Sequence, residues 1–181
     1  MESVSEGALI ATVNGATPVC GEGTWLAPNA TLTGDVVMGR NCSVWFQAVI
    51  RGDVGAIRFG DGVNIQDGVV VHATRNYSEV TLGDRVSVGH RALVHGCTAE
   101  EDVLIGMGAI VMDKVYIERG GLVAAGAVVL ENTRIKAGEI YAGVPAKCVK
   151  RRPVEEAVKA NRKIAEGYVE YKGWYTREDE V

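Results

Sequence analysis

Residues 103–135 read VLIGMGAIVMDKVYIERGGLVAAGAVVLENTRI, and one position in six is aliphatic: Ile105, Val111, Ile117, Val123, Val129 and Ile135. An amphipathic helix repeats at about 3.6 residues and a strand at about 2, so neither a helix bundle nor a hairpin meander keeps this count. A parallel β-solenoid does. Each six-residue unit supplies one short strand and one turn, and three units close a coil of about 18 residues. The aliphatic residue fills the interior, and glycine relieves the backbone at the corners.

The count runs outward in both directions. It reaches Tyr141 on the C-terminal side, and toward the N-terminus it passes a step of five from Ala99 to Val94, then Val88 and Leu82. After one interruption come Val71, Ile65 and Phe59, and after another Ile50, Val44, Met38, Leu32 and Leu26. Small or β-branched residues such as Ala30, Val36, Cys42, Ala92 and Ala109 stand four positions later. An all-β solenoid over residues 25–147 is therefore expected. From Pro153 the pattern changes to apolar residues near i, i+3, i+4 (Val154, Ala157, Val158, Ile164, Ala165, Tyr168, Val169), which predicts an amphipathic helix over 153–178 packed along the solenoid. Residues 1–24 are expected to cover it as strand or loop.

Composition narrows the function. The chain has 181 residues, 47% hydrophobic and 23% charged, enough for a packed core. A net charge of −4 gives no general attraction to phosphate backbones, which argues against nucleic acid as the main partner. No apolar run reaches the roughly 18 residues of a membrane span. Met1–Leu9 carries two glutamates and no basic residue, unlike an export signal. Cys20, Cys42, Cys97 and Cys148 form no C-x-x-C pair and read as reduced thiols of a cytoplasmic protein. Cys97 lies two residues after His95, so a ligand role stands beside its commoner use as small apolar filler.

There are three histidines in the chain, and the repeat places them. Assigning faces in rotation puts Val71 and Val94 on face one, Leu82 on face two and Val88 on face three. His72 and His95 each follow a face-one aliphatic residue, so they stack one coil apart at about 4.8 Å. His90 belongs to face three and points elsewhere. A symmetric trimer would bring face three of one copy against face one of the next and complete a three-histidine site. Three imidazoles with an open position are the donor set of catalytic zinc. Arg51 falls in the same column as His72 and His95, and Asp67 lies one coil before His90. An Arg on one contact face and an Asp on the other suit an intersubunit ion pair, with Gln66 beside Asp67.

The motifs Arg51-Gly52-Asp53, Asn64-Ile65-Gln66-Asp67-Gly68, His72 and His90-x4-His95 together resemble the signature of the γ-class carbonic anhydrases, within the hexapeptide-repeat superfamily of left-handed parallel β-helices. The resemblance implies the left-handed winding, which the general crossover rule would not have favoured. It further implies a homotrimer with zinc, or iron or cobalt, held at each interface by His72, His90 and His95. Arg51, Asp53 and Asp67 would form the interface network, Gln66 would orient the nucleophile with Asn64 as a further catalytic residue, and Tyr168 would enter the site from the C-terminal helix, with Tyr171 close by. The implied reaction is reversible hydration of carbon dioxide to bicarbonate.

This sequence also departs from the family's fastest members, which carry a glutamate after the R-G-D and an acidic loop after the first histidine. Here Val54 follows Asp53, and Ala73–Val80 holds Glu79 as its one acid. Slow proton export is expected. Ala142-Gly143-Val144-Pro145-Ala146-Lys147 resembles the solenoid end of CoA-dependent acyltransferases, so acyl transfer, thioester hydrolysis and a metal-stapled scaffold are the competing functions.

Overall fold

The computed structural model describes residues 7–176. Its strands stack in parallel as a left-handed β-helix of the expected three faces. Face three carries Trp25–Leu26, Ser43–Val44, Asn64–Ile65, Ser87–Val88, Leu104–Ile105 and Leu122–Val123, ending in Glu139–Gly143. Val70–His72, Leu93–His95, Ile110–Val111 and Val128–Val129 stack on face one, and Val80–Leu82, Thr98–Ala99, Tyr116–Ile117 and Arg134–Ile135 on face two. Two long strands, Thr31–Met38 and Val49–Phe59, bend around the corner and join these two faces into one sheet.

Register follows the six-residue count: Val88 pairs with Ile65 and Ile105, and Val94 with Val71 and Val111. The periodic aliphatics are wholly buried in one column per face, and the small residues at the fourth position, among them Ala30, Cys42, Ala92 and Ala109, are buried beside them. Fully burying each such Ile, Leu or Val contributes about 1.5–3 kcal/mol. All three departures from six (Ile50 to Phe59, Val71 to Leu82, Val94 to Ala99) fall at the corner between faces one and two. Two of the steps are longer than six and the last is shorter, so the chain varies in length at one place, directly after the column of Arg51, His72 and His95.

Parallel pairing begins earlier than residue 25, because Leu9–Ala11 and Val19–Cys20 both add to Thr31–Met38. At the other end Ala146–Arg151 turns back antiparallel on Glu139–Gly143. Among the described residues a single helix, α1, spans Val154–Lys172 with Pro153 as its N-cap and Gly173 after it, so it stops short of the 178 expected; residues 177–181 lie outside the described part. Among the described residues no helix is long and apolar enough to cross a membrane.

Along the corner between faces two and three, one residue per coil is left-handed, including Gly23, Asn41, Gly62, Arg85, Asp102, Gly120 and Gly138. The helix lies on this ridge, running from the last coil back to the first. Gly120 is needed there, since a Cβ would stand 3.1 Å from Val158 and 3.3 Å from Ala157. Asn161, itself buried, donates to the Asp102 carbonyl at 2.9 Å. At the far end Lys172 Nζ donates to the Gly23 carbonyl at 2.5 Å, and burial lowers its pKa. The Asp102 carboxylate has no exposed surface and accepts from Arg162 at 3.0 and 2.8 Å and from Arg85 at 2.8 and 3.3 Å. Burial acts to raise its pKa, but the bonds and charges of Arg162 and Arg85 outweigh that and hold it below the usual carboxylate range.

Candidate functional site

His72 pairs with His95 across adjacent strands, and their rings meet edge to face with Nδ1 of His72 at 3.2 Å from Nε2 of His95. The outer nitrogen of each ring is taken by a carboxylate. Asp53 Oδ1 is 3.1 Å from His72 Nε2, and Asp113 Oδ2 is 3.0 Å from His95 Nδ1. A carboxylate only accepts, so when both rings are neutral each outer nitrogen carries the proton and each inner nitrogen presents a lone pair. Two lone pairs facing at this distance repel unless a cation lies between them. Two nitrogens bound tetrahedrally to one metal at about 2.0–2.1 Å would stand roughly 3.3 Å apart, close to what is seen. Burial, with the charges of Arg51 and His95, lowers the His72 pKa against the opposing pull of Asp53, which favours the neutral ring a metal requires.

The carboxylates are themselves held. Arg51 donates to Asp53 at 2.5 Å, and Ile50 pairs with Val71, so Arg51 stands in the histidine column as expected. Within the chain its partner is Asp53, two residues on in the same strand Val49–Phe59, and Asp67 meets His90. Asp113 accepts from Ser78 and, at 3.3 Å, from Thr74, which ties the 73–79 loop to His95. For both acids burial raises the pKa and is outweighed: by Arg51 and His72 at Asp53, by Ser78 and His95 at Asp113. Sequence reasoning missed Asp113, Ser78 and Thr74.

On face three, His90 Nδ1 meets Asp67 Oδ2 at 2.8 Å, one coil below. Buried Gln66 accepts the His90 N–H at 3.1 Å and donates to Asn64 at 3.0 Å, and Asn64 donates to Ser87 at 2.7 Å. The phenol of Tyr168, on α1, reaches within 3.4 Å of His90 Nε2. Tyr171 packs on Tyr168 and Trp174 and makes no such approach. Burial first, then the charge of Asp67, pushes the Tyr168 phenol up to about 12, so it stays a proton donor near neutrality.

Within one chain the candidate residues thus form two half-sites: Arg51, Asp53, His72 and His95 on one side; Asn64, Gln66, Asp67, His90 and Tyr168 on the other. Among the described residues no three His, Cys, Asp or Glu converge as metal ligands. Cys97 belongs to neither group. It is wholly buried, one position before Thr98 as Val115 is before the paired Tyr116, and burial pushes its thiol up to about 12. Glu79, Val54 and Lys114 line a polar hollow of about 540 Å³ beside the first half-site.

Residues 17–52 match the model of the bacterial transferase hexapeptide (six repeats). A carbonic anhydrase of Geobacillus kaustophilus is 38% identical over 92% of this chain and 90% of its own length. Mitochondrial gamma carbonic anhydrase 2 of Arabidopsis thaliana is 41% identical over 87% of this chain, which spans 58% of that relative's length. A solved hexapeptide transferase family protein of Anaplasma phagocytophilum superposes with a TM-score of 0.87 at 36% identity, covering 92% of this chain and 98% of its own. Identity of this extent over most of the chain makes it a member of the γ-carbonic anhydrase family of hexapeptide-repeat proteins.

Proposed function

We propose that the protein is a trimeric metalloenzyme that hydrates carbon dioxide reversibly. The observation that carries this reading is the His72–His95 pair, whose inner nitrogens face each other at 3.2 Å while both outer nitrogens are held by carboxylates. His72 and His95 of one copy and His90 of a neighbour would hold zinc, with iron or cobalt as alternatives that suit the same donors. A divalent metal held by these residues would supply the nucleophile by lowering the pKa of water to about 7.

The chain's own residues do the rest. Asp53, backed by Arg51, and Asp113, backed by Ser78, keep the two rings oriented. Gln66 spends one amide hydrogen on Asn64 and has the other to orient the attacking oxygen. Tyr168 donates from its phenol to the product's oxygen. Support for the trimer comes from face one, where Val49, Val70, Leu93, Ile110 and Val128 form an outward apolar ladder, with Val70 and Ile110 exposed. Such a stripe is uncommon on a lone soluble chain. All four cysteines are unpaired, as a reducing cytoplasm would keep them.

Metal analysis with stopped-flow hydration tests the activity, and mixed assembly tests the site. His90→Ala and His95→Ala chains should each lose metal, and trimers co-assembled from both should regain part of it. Mixtures no better than their parents would place all ligands in one subunit. A second reading, acyl-thioester chemistry, is favoured by a largely apolar cavity of about 370 Å³ between Leu104, Leu122, Met107 and Ile164 that reaches His90. Turnover of short acyl-CoA without carbon dioxide hydration would select it.

A further inference from the structure

The net charge of −4 hides an uneven distribution. Residues 134–152 hold six basic side chains and one acid, Glu139. They form the end of the last coil and the hairpin of Glu139–Gly143 with Ala146–Arg151, which ends the sheet of face three. The nearby acids are engaged. Buried Glu139 accepts from Arg151 at 2.8 Å, Glu118 accepts from Arg134 at 2.7 Å, and Glu131 accepts from the Tyr77 phenol. Lys147 and Lys150 are exposed and make no ion pair among the described residues. Apolar side chains stand beside them in water. Val144, at the hairpin turn, is 73% exposed, Val149 is 62% exposed, and Leu130, in the last coil, 48%.

These two kinds of side chain narrow the choice of partner. A second copy docked end to end would set lysines against lysines, and lysines along a free strand edge oppose strand addition. A neutral apolar partner would leave the ammonium groups unanswered, and a soluble polyanion would leave the valines in water. An anionic phospholipid surface meets both. Its phosphates pair with the ammonium groups while the valines and the lysine stems enter the layer below. The proposed trimer adds to this, since a threefold axis along the solenoids points all three C-terminal ends the same way. Three weak contacts on one plane then act together.

We propose that the C-terminal end of the solenoid docks on an anionic phospholipid surface through Lys147 and Lys150, with Val144 and Val149 entering the interfacial layer. The test is cosedimentation with vesicles of phosphatidylcholine alone, or mixed equally with phosphatidylglycerol, at low and high salt. Binding is expected to the mixed vesicles only and to fall as salt rises. The double variant Lys147→Glu/Lys150→Glu should weaken it by at least about 30-fold. Val144→Ser/Val149→Ser, which keeps the charge, should weaken it by about tenfold. Arg40→Glu, in the first coils, should bind as the parent does. Equal binding to the two kinds of vesicle, or to neither, would overturn the proposal with the unaltered chain alone. A lysine variant that binds like the parent would overturn it too. Unchanged binding by the valine variant would also overturn it and assign this end to a soluble acidic partner. Light scattering on the same samples reads the trimer separately: a monomer whose vesicle binding still depends on both lysines would keep this surface and fail only the trimer.

Discussion

Replacing Asp102 with Asn tests how α1 is fastened. Asn keeps the shape of the side chain and tolerates the left-handed backbone at φ 57°, so the change isolates the charge. The carboxylate is fully buried and accepts four hydrogen bonds from two guanidiniums, whose side chains are 33% and 39% exposed. Breaking a fully buried pair costs about 3–5 kcal/mol. Here both arginines can turn to water, so about 2 kcal/mol is the reasoned loss. Amide hydrogen exchange over residues 154–172 should then quicken by about 30-fold at pH 7, where local opening sets the rate. Because the folded pKa lies below the unfolded value of about 3.9, the stabilisation is complete above that value and fades as pH falls through the folded pKa. The difference between the two proteins should therefore shrink in acid. Unchanged exchange in α1 at pH 7, or a difference that persists in strong acid, would refute the argument.

Asp113→Asn should lower metal affinity by about 10–100-fold, as loss of a carboxylate behind a ligating histidine does, with Ser78→Ala showing a smaller loss in the same chelator competition. Equal affinity in all three proteins would mean that Asp113 serves the loop and not His95. Turnover should rise with the concentration of imidazole buffer, because Val54 cannot carry a proton, and Val54→Glu should raise the rate constant more than it alters KM. General acid–base assistance from a well-placed group is worth about 10²–10⁴-fold. A fast rate indifferent to buffer would show that Glu79, which lines the same hollow as Val54, already moves the proton.

The period of six made most of this architecture legible, since it fixes which residues share a face. Arg51, His72 and His95 fell in one column by counting alone, as did Asp67 and His90. Asp113 did not, because it lies one residue past Met112, the position next in the column above His95. Only the short five-residue step after Val94, together with the folding of the 73–79 loop, brings it to the ring. The choice between Tyr168 and Tyr171 depends on where α1 is anchored, which rests on Asn161 and on the buried Asp102 clasp, neither marked by any periodicity. The added pairing at Leu9–Ala11 was equally silent, because three partly exposed residues carry too little pattern to read. Handedness came from resemblance alone.

The course of α1 sets a direction in which the molecule can change length. The helix is rooted beside the last coil and runs back over the earlier ones, so the meeting of Tyr168 with His90 depends on how many coils separate Val88 from Tyr141. One coil advances the solenoid by about 4.8 Å and one helical turn advances α1 by about 5.4 Å. The two spacings nearly agree, yet no whole number of turns repairs an added coil. A duplication of 18 residues between Val88 and Tyr141 would carry His90 out of reach of the phenol. The same duplication before Val44 would leave that pair where it is and shift only the far end of α1, where Lys172 meets Gly23. Growth by repeat duplication is thus open at the N-terminal end and closed at the other.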